Sequence, residues 1–144
     1  PGPLRVSGDR IQLQQVILNL VVNGMESMTG AANGRREVTS STSLDEASAR
    51  ISIADSGPGI PSDKLKRIFE PFFTTKDDGM GMGLSIARTI VEVHDGRLSA
   101  ENHARGGAVF RISLPLAVPP NCLQIYEFTT WRCRPMVSFA FTRR

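Results

Sequence analysis

No run of the sequence is apolar for the roughly 18 residues that a membrane-spanning helix needs. The richest stretch, 16–22, is interrupted by Asn19. A secretory leader is equally missing, and the chain opens Pro1-Gly2-Pro3 rather than with Met, so we read it as a piece of a longer protein. Cysteine is scarce: Cys122 and Cys133 are the only two, and their spacing supports neither a zinc site nor a disulfide scaffold. A cytoplasmic setting is the expectation. An excess of one charge is missing from most of the chain, since residues 1–116 carry 13 Lys+Arg and 13 Asp+Glu. The formal +3 comes from Arg132, Arg134, Arg143 and Arg144 against Glu127. The basic balance therefore implies no nucleic-acid partner, and nothing in this stretch implies a membrane contact.

What is present is ordinary for one soluble globular domain: 144 residues, 40% hydrophobic and 22% charged. Asp9 reads as the N-cap of a helix to about Met28, with Leu13, Val16, Ile17, Leu20 and Gly24 at the 3.6-residue rhythm of a packed face. A loop over 29–36 leads to strands at 37–44 and 50–55, the second turning Ile51 and Ile53 inward. Ser62 and Asp63 open a short helix to about Phe69. Residues 74–83 are polar and glycine-rich, a mobile loop. A second strong helix runs over 84–94, and strands follow at 97–101 and 108–114. The order α-β-β-α-α-β-β predicts an α+β fold, a mostly antiparallel sheet covered on one face by about three helices.

We divide the chain at the Pro119-Pro120 pair, into a domain of residues 1–118 and a tail of residues 119–144. The tail holds both cysteines, four arginines and the single Trp and Tyr, with a short strand as the only expectation, over 136–141. It is open whether the tail is a partner-binding extension or sequence not native to the protein, and we assign it no function.

Four segments carry chemistry: NLVVN at 19–23, DSGPGI at 55–60, FEPFFTTK at 69–76 and GMGMGLS at 79–85. Asn19, Asn23 and Glu26 share a stripe about 60° wide on the first helix. Two asparagines beside an apolar face are costly unless their amides find partners, and an amide oxygen is a hard ligand suited to Mg²⁺. Asp55 ends a strand just before Gly57 and Gly59. A carboxylate there can accept a hydrogen bond from the exocyclic amine of adenine, or merely close an Asx turn.

Gly79, Gly81 and Gly83 precede a helix whose N-terminal N–H groups suit phosphate; a flexible linker is the bland alternative. Lys76 is placed to meet a γ-phosphate or is a plain surface lysine. No Gly-Lys-Ser/Thr triplet follows the glycines and no strand precedes them, which excludes a Walker loop and a dinucleotide fingerprint. His-Arg-Asp and Asp-Phe-Gly triplets are also missing, so this is not a eukaryotic-type protein kinase. Phe69, Phe72 and Phe73 read chiefly as core filling beside the loop. His94 reads as a core histidine, and His103 as a surface one.

Taken together, the four segments resemble the N, G1, F and G2 boxes of the catalytic and ATP-binding domain of bacterial sensor histidine kinases. The form of FEPFFTTK looks closest to the nitrogen-regulation, oxygen-sensing and dicarboxylate-sensing branch. The resemblance covers residues 4–117 and implies the Bergerat fold, a two-layer α/β sandwich shared with gyrase, Hsp90 and MutL. It implies that Asn23 holds Mg²⁺, that Asp55 reads adenine, and that Gly57 and Gly59 shape the base pocket. Gly79, Gly81 and Gly83 would contact the phosphates of ATP, with Ile60, Thr75, Lys76 and Leu84 completing the site.

Hydrolysing relatives carry a Glu general base where Asn19 stands, and an amide cannot take that proton. Asn19, with Lys76, therefore points to phosphoryl transfer. The implied acceptor is a histidine on a separate dimerisation domain of the same parent, in two-component signal transduction, with a response regulator served indirectly. The parent could be a membrane-bound sensor whose cytoplasmic part this is. No phosphoacceptor hairpin occurs in the chain, so autophosphorylation of this piece is not expected. Gly24 departs from a usual Ala, and Val109 from a Thr that helps to hold adenine through water. Two other readings stay open: a regulatory or degenerate nucleotide-binding module without transfer, and an anti-sigma-type serine kinase.

Overall fold

The protein is described by a computed structural model, which defines residues 4–29, 36–45, 47–75, 79–104 and 106–117 and the backbone of 131–133. Helix α1 spans Arg10–Ser27. Its first turn is held by the Asp9 carboxylate, which accepts from Gln12 N at 2.9 Å, satisfying one of the donors a helix start leaves open. Leu13, Val16, Leu20 and Gly24 form its buried face, the spacing the sequence carries. Helix α1 is apolar on its outer side as well, where Ile11, Leu18, Val22 and Met25 are exposed.

Strands β1 (Val38–Asp45) and β2 (Ser48–Asp55) form an antiparallel pair. Helix α2 (Gly83–Val93) follows, then β3 (Arg97–Asn102) and β4 (Ala108–Pro115). A three-residue strand β5 at Trp131–Cys133 pairs with β1 and was not expected from the sequence; the strand expected over 136–141 lies outside the described residues. The sheet order is β3-β4-β2-β1-β5, and every pairing in it is antiparallel.

Alternation along β2 buries Ala49, Ile51, Ile53 and Asp55. Ala49, Ile51 and Ile53, with Phe110, Ile112 and Leu114 of β4, meet Val16 and Leu20 of α1 and Ala87 and Val91 of α2 in one core. Burying each large apolar side chain there stabilises the fold by roughly 1.5–3 kcal/mol. Two α-helices and a sheet make this the α+β sandwich the sequence implies. The third helix, expected over 62–69, is a run of turns. Its bonds alternate in reach: Leu65 N donates to Pro61 O at 3.1 Å, but Arg67 N and Glu70 N each reach back only three residues.

His94 fastens the two helices. Its Nε2 accepts from Asp9 N at 2.9 Å, and its Nδ1 lies 2.7 Å from Ile90 O. These partners define the tautomer with the proton on Nδ1. His94 is thus structural, as its helical spacing suggests. On the other face of the sheet, Arg111 of β4 pairs with Glu101 of β3. Chiefly through that hydrogen bond, Arg111 holds the Glu101 carboxyl below the usual carboxylate range.

Candidate nucleotide-binding site

A cavity of about 490 Å³ opens between α1, the segment after β2, the turns of 61–69 and the start of α2. That volume lies within the range of small-molecule and cofactor sites. From α1, Asn19 and Asn23 line it; from β2 and the loop beyond, Asp55, Gly59 and Ile60 do. The rest of the expected set, Thr75, Gly79, Gly81, Gly83 and Leu84, lines it as well. Gly57 is not in the lining and acts behind it. Lys76 lies outside the described residues.

The Asp55 carboxylate is fixed from behind. Its Oδ1 accepts from Gly57 N at 2.8 Å and from Ala108 N at 3.3 Å, and the residue is 9% exposed. Gly57 therefore serves the site as a backbone donor. A Cβ at residue 57 would meet Asp55 Oδ1 and Ser27 Oγ, each at 2.8 Å, so only glycine lets the loop come this close. Across β4, Ala108 and Phe110 face the cavity. Val109, expected beside the base, does not line it, because alternation along β4 puts it on the opposite face.

One helical turn of α1 joins the carboxylate to the start of α2. Gly24 lies against Asp55, while Asn19 Nδ2 donates to Gly83 O at 3.3 Å. Asn23 Nδ2 donates to Asn19 O at 2.8 Å, and its amide oxygen is the hard ligand that a cation at this cavity would take. Among the described residues no three of His, Cys, Asp or Glu cluster as a metal site. A hard ion here would take an amide oxygen plus phosphate and water oxygens, the ligand set that suits Mg²⁺. The residues present fit that ion.

Among the described residues no side chain caps the N-terminus of helix α2, and its first turn presents backbone donors toward the cavity. Gly81 adopts φ +66°, and a Cβ there would sit 2.5 Å from the Phe72 carbonyl carbon. The glycine loop thus packs directly on the 72–73 backbone. Phe69 and Phe73 pack against the core, as expected. The guanidinium of Arg88 lies over the Phe69 ring and that of Arg67 over Phe73. Phe72 differs: it has φ +64° and is 74% exposed.

Two polar groups that serve this region, one at the cavity and one behind it, were not expected. Lys64, on the run of turns, puts a cation at the cavity. Asn102, at the end of β3, holds the loop from outside: its Oδ1 accepts from Ile60 N and its Nδ2 donates to Ile60 O, both at 2.7 Å. A single amide thereby pairs with Ile60 as a neighbouring strand would. Its contact spans 42 residues, and no local motif announces it.

Residues 8–118 match the family described as histidine kinase-, DNA gyrase B- and HSP90-like ATPases. The sensor protein FixL of Bradyrhizobium diazoefficiens is 47% identical over 117 residues, covering 81% of this chain and 23% of its own length. The catalytic domain of histidine kinase ThkA superposes with a TM-score of 0.66 at 40% identity, over 78% of this chain and 71% of that one. Full-length ShkA, solved in complex with AMPPNP, gives a TM-score of 0.66 at 32% identity, over 82% of this chain and 24% of its own. The chain thus spans about a quarter of the length of the sensor proteins it resembles. Four ordered boxes, an antiparallel sheet under two helices and a match over residues 8–118 agree, and the chain belongs to the histidine kinase-, DNA gyrase B- and HSP90-like ATPases, among the catalytic domains of histidine kinases.

Proposed function

We propose that this domain binds MgATP in the α1–α2 cavity and presents the γ-phosphate to a histidine on a separate dimerisation domain of the same parent protein, which passes it to a response regulator. The observation that carries the reading is Asp55, with Oδ1 pinned by two backbone donors and its remaining oxygen available to the exocyclic amine of adenine. Gly59 and Ile60 flank the base. Asn23 holds Mg²⁺ through its amide oxygen. The backbone at Gly79, Gly81, Gly83 and Leu84, with Thr75 and Lys76, takes the phosphates. Mg²⁺ bound there would neutralise phosphate charge, while the chain's own residues orient the nucleotide.

Asn19 contributes no general base, so transfer depends on positioning an imidazole supplied by the partner domain. Phe72 and Met80, 74% and 75% exposed beside the cavity, give that domain an apolar surface to dock on. FixL is named a sensor protein and ThkA a histidine kinase. These names favour transfer over a nucleotide-binding module without transfer and over a serine kinase. ShkA was solved with an ATP analogue, which supports the choice of nucleotide. Among the described residues no helix is long and apolar enough to cross a membrane; the domain is proposed to work in the cytoplasm. Residues 1–118 are proposed to be the catalytic domain.

The test is a calorimetric titration of the whole chain with a non-hydrolysable ATP analogue, with and without Mg²⁺. Binding strengthened by Mg²⁺ is expected. Absence of binding in both buffers would sink the reading, and ATP turnover by the chain alone would defeat the argument from Asn19.

A further inference from the structure

The run of turns beside the cavity carries three cations, Lys64, Lys66 and Arg67, and only Lys64 lines it. Arg67 pairs with Glu70 at 3.2 Å and lies over the Phe73 ring, while Lys66 is exposed to solvent. Lys64 is half-buried and lines the wall together with Ile60, Pro61 and Ile68. Its backbone is held on both sides: Lys64 N donates to Pro61 O at 2.9 Å, and Lys64 O accepts from Arg67 N at 2.8 Å and from Ile68 N at 3.0 Å. Ile68 in turn is buried in the core. Lys64 therefore has a fixed root and a flexible four-carbon stem. Among the described residues no carboxylate pairs with its ammonium.

The rest of the described lining is acidic where it is charged at all. Its acidic and basic residues are Glu26, Asp55 and Lys64, two carboxylates against one ammonium, and a nucleoside triphosphate stays anionic even with Mg²⁺ bound. The root of Lys64 decides which phosphates it can serve. Ile60, four residues before it, flanks the proposed base, whereas the γ-phosphate is proposed to point toward the incoming imidazole. We infer that Lys64 is a binding residue for the α- and β-phosphates, the two nearest the ribose, and leaves the γ-phosphate uncovered. The inference rests on the reading of the cavity as a MgATP site. By holding only phosphates that stay on the nucleotide, Lys64 acts in retention of ATP and of the ADP left after transfer, and not in the transfer itself.

The experiment titrates the whole chain and its Lys64→Met variant, in Mg²⁺, with a non-hydrolysable ATP analogue, ADP and adenosine at low and high salt, and records thermal melts. Methionine keeps an unbranched, flexible side chain and removes the charge. The ATP analogue and ADP should each lose about tenfold in affinity, by the same factor, while adenosine stays within about twofold. ADP binding should also depend less on salt in the variant, because a screened attraction has been removed. Lys64→Arg, which keeps the cation, should bind both nucleotides nearly as the wild type does. A loss confined to the ATP analogue would put the ammonium on the γ-phosphate and overturn the inference. An equal loss for adenosine would make Lys64 a packing residue and overturn it too, as would unchanged affinities or failure of both variants to fold. A wild-type chain that binds neither nucleotide would remove the MgATP reading and this inference with it.

Discussion

Replacing Asp55 by asparagine is the sharpest single perturbation of this site, because it changes one atom's role and spares the geometry. Oδ1 accepts from Gly57 N at 2.8 Å and Ala108 N at 3.3 Å, and an asparagine can offer its carbonyl oxygen to both. That orientation puts its amide nitrogen where Oδ2 now stands. An acceptor becomes a donor, set against the amine of adenine, which also donates. A hydrogen bond to a charged partner contributes about 1.5–3 kcal/mol net, so ATP affinity should fall about 10- to 100-fold at roughly 1.4 kcal/mol per decade. Guanine offers a carbonyl oxygen at the same edge, so GTP should lose little or gain. Competitive displacement of a fluorescent ATP analogue by ATP and by GTP reads both quantities, and a thermal melt confirms that the fold persists. Equal losses for ATP and GTP would mean that Asp55 only closes a turn. ATP affinity within twofold of wild type would mean that the base sits elsewhere.

Other perturbations separate the remaining roles. Asn23→Ala should abolish the gain in nucleotide affinity that Mg²⁺ brings while leaving metal-free binding nearly intact; a titration in which Mg²⁺ still helps would remove Asn23 from the metal. Asn102→Ala removes both 2.7 Å bonds to Ile60, and at about 0.5–1.5 kcal/mol each it should cost about 1–3 kcal/mol of stability. Nucleotide affinity should fall with it, and denaturant unfolding that matches wild type would refute the anchoring role. Glu101 titrates below its ordinary range because Arg111 bonds to its charged form, so the pair stabilises the fold above the unfolded-state value and loses that contribution as pH falls through the lowered one. The melting difference between wild type and Glu101→Gln should be constant above about pH 5 and close at more acidic pH; a gap that widens there would reverse the assignment.

Legibility followed locality. Helix α1 was readable because its cap, Asp9, and its buried residues Leu13, Val16 and Leu20 are set by near neighbours and a 3.6-residue period. Strand β2 was readable because Ile51 and Ile53 alternate to a buried face. The residues expected at the site stand in short motifs, and ten of the twelve line the cavity. What escaped depended on contacts distant in sequence or on register. Val109 and Ala108 differ by one position, and a one-residue shift exchanges the faces of a strand. The Asn102 amide meets Ile60 only because β3 and the loop after β2 are brought together by β4. Phe72 reads as core by composition, yet with its backbone at φ +64° the ring is 74% exposed. The run of turns at 62–69 has helical composition but lacks a sustained four-residue bond ladder.

Asn19 joins two properties of the site that sequence comparison would treat separately. As an amide it supplies no general base, which disfavours activation of water. The same amide donates to Gly83 O at 3.3 Å, at the first residue of α2. A glutamate at residue 19 would accept only, so the side chain able to deprotonate water would face the Gly83 carbonyl with a carboxylate. It would also bring negative charge toward the helix start where the phosphates are proposed to lie. The missing base and the geometry of the phosphate side are thus held by one side chain. In this arrangement a change toward hydrolysis has to rebuild the start of α2 as well, which is a physical reason for a transferring site to keep an amide there.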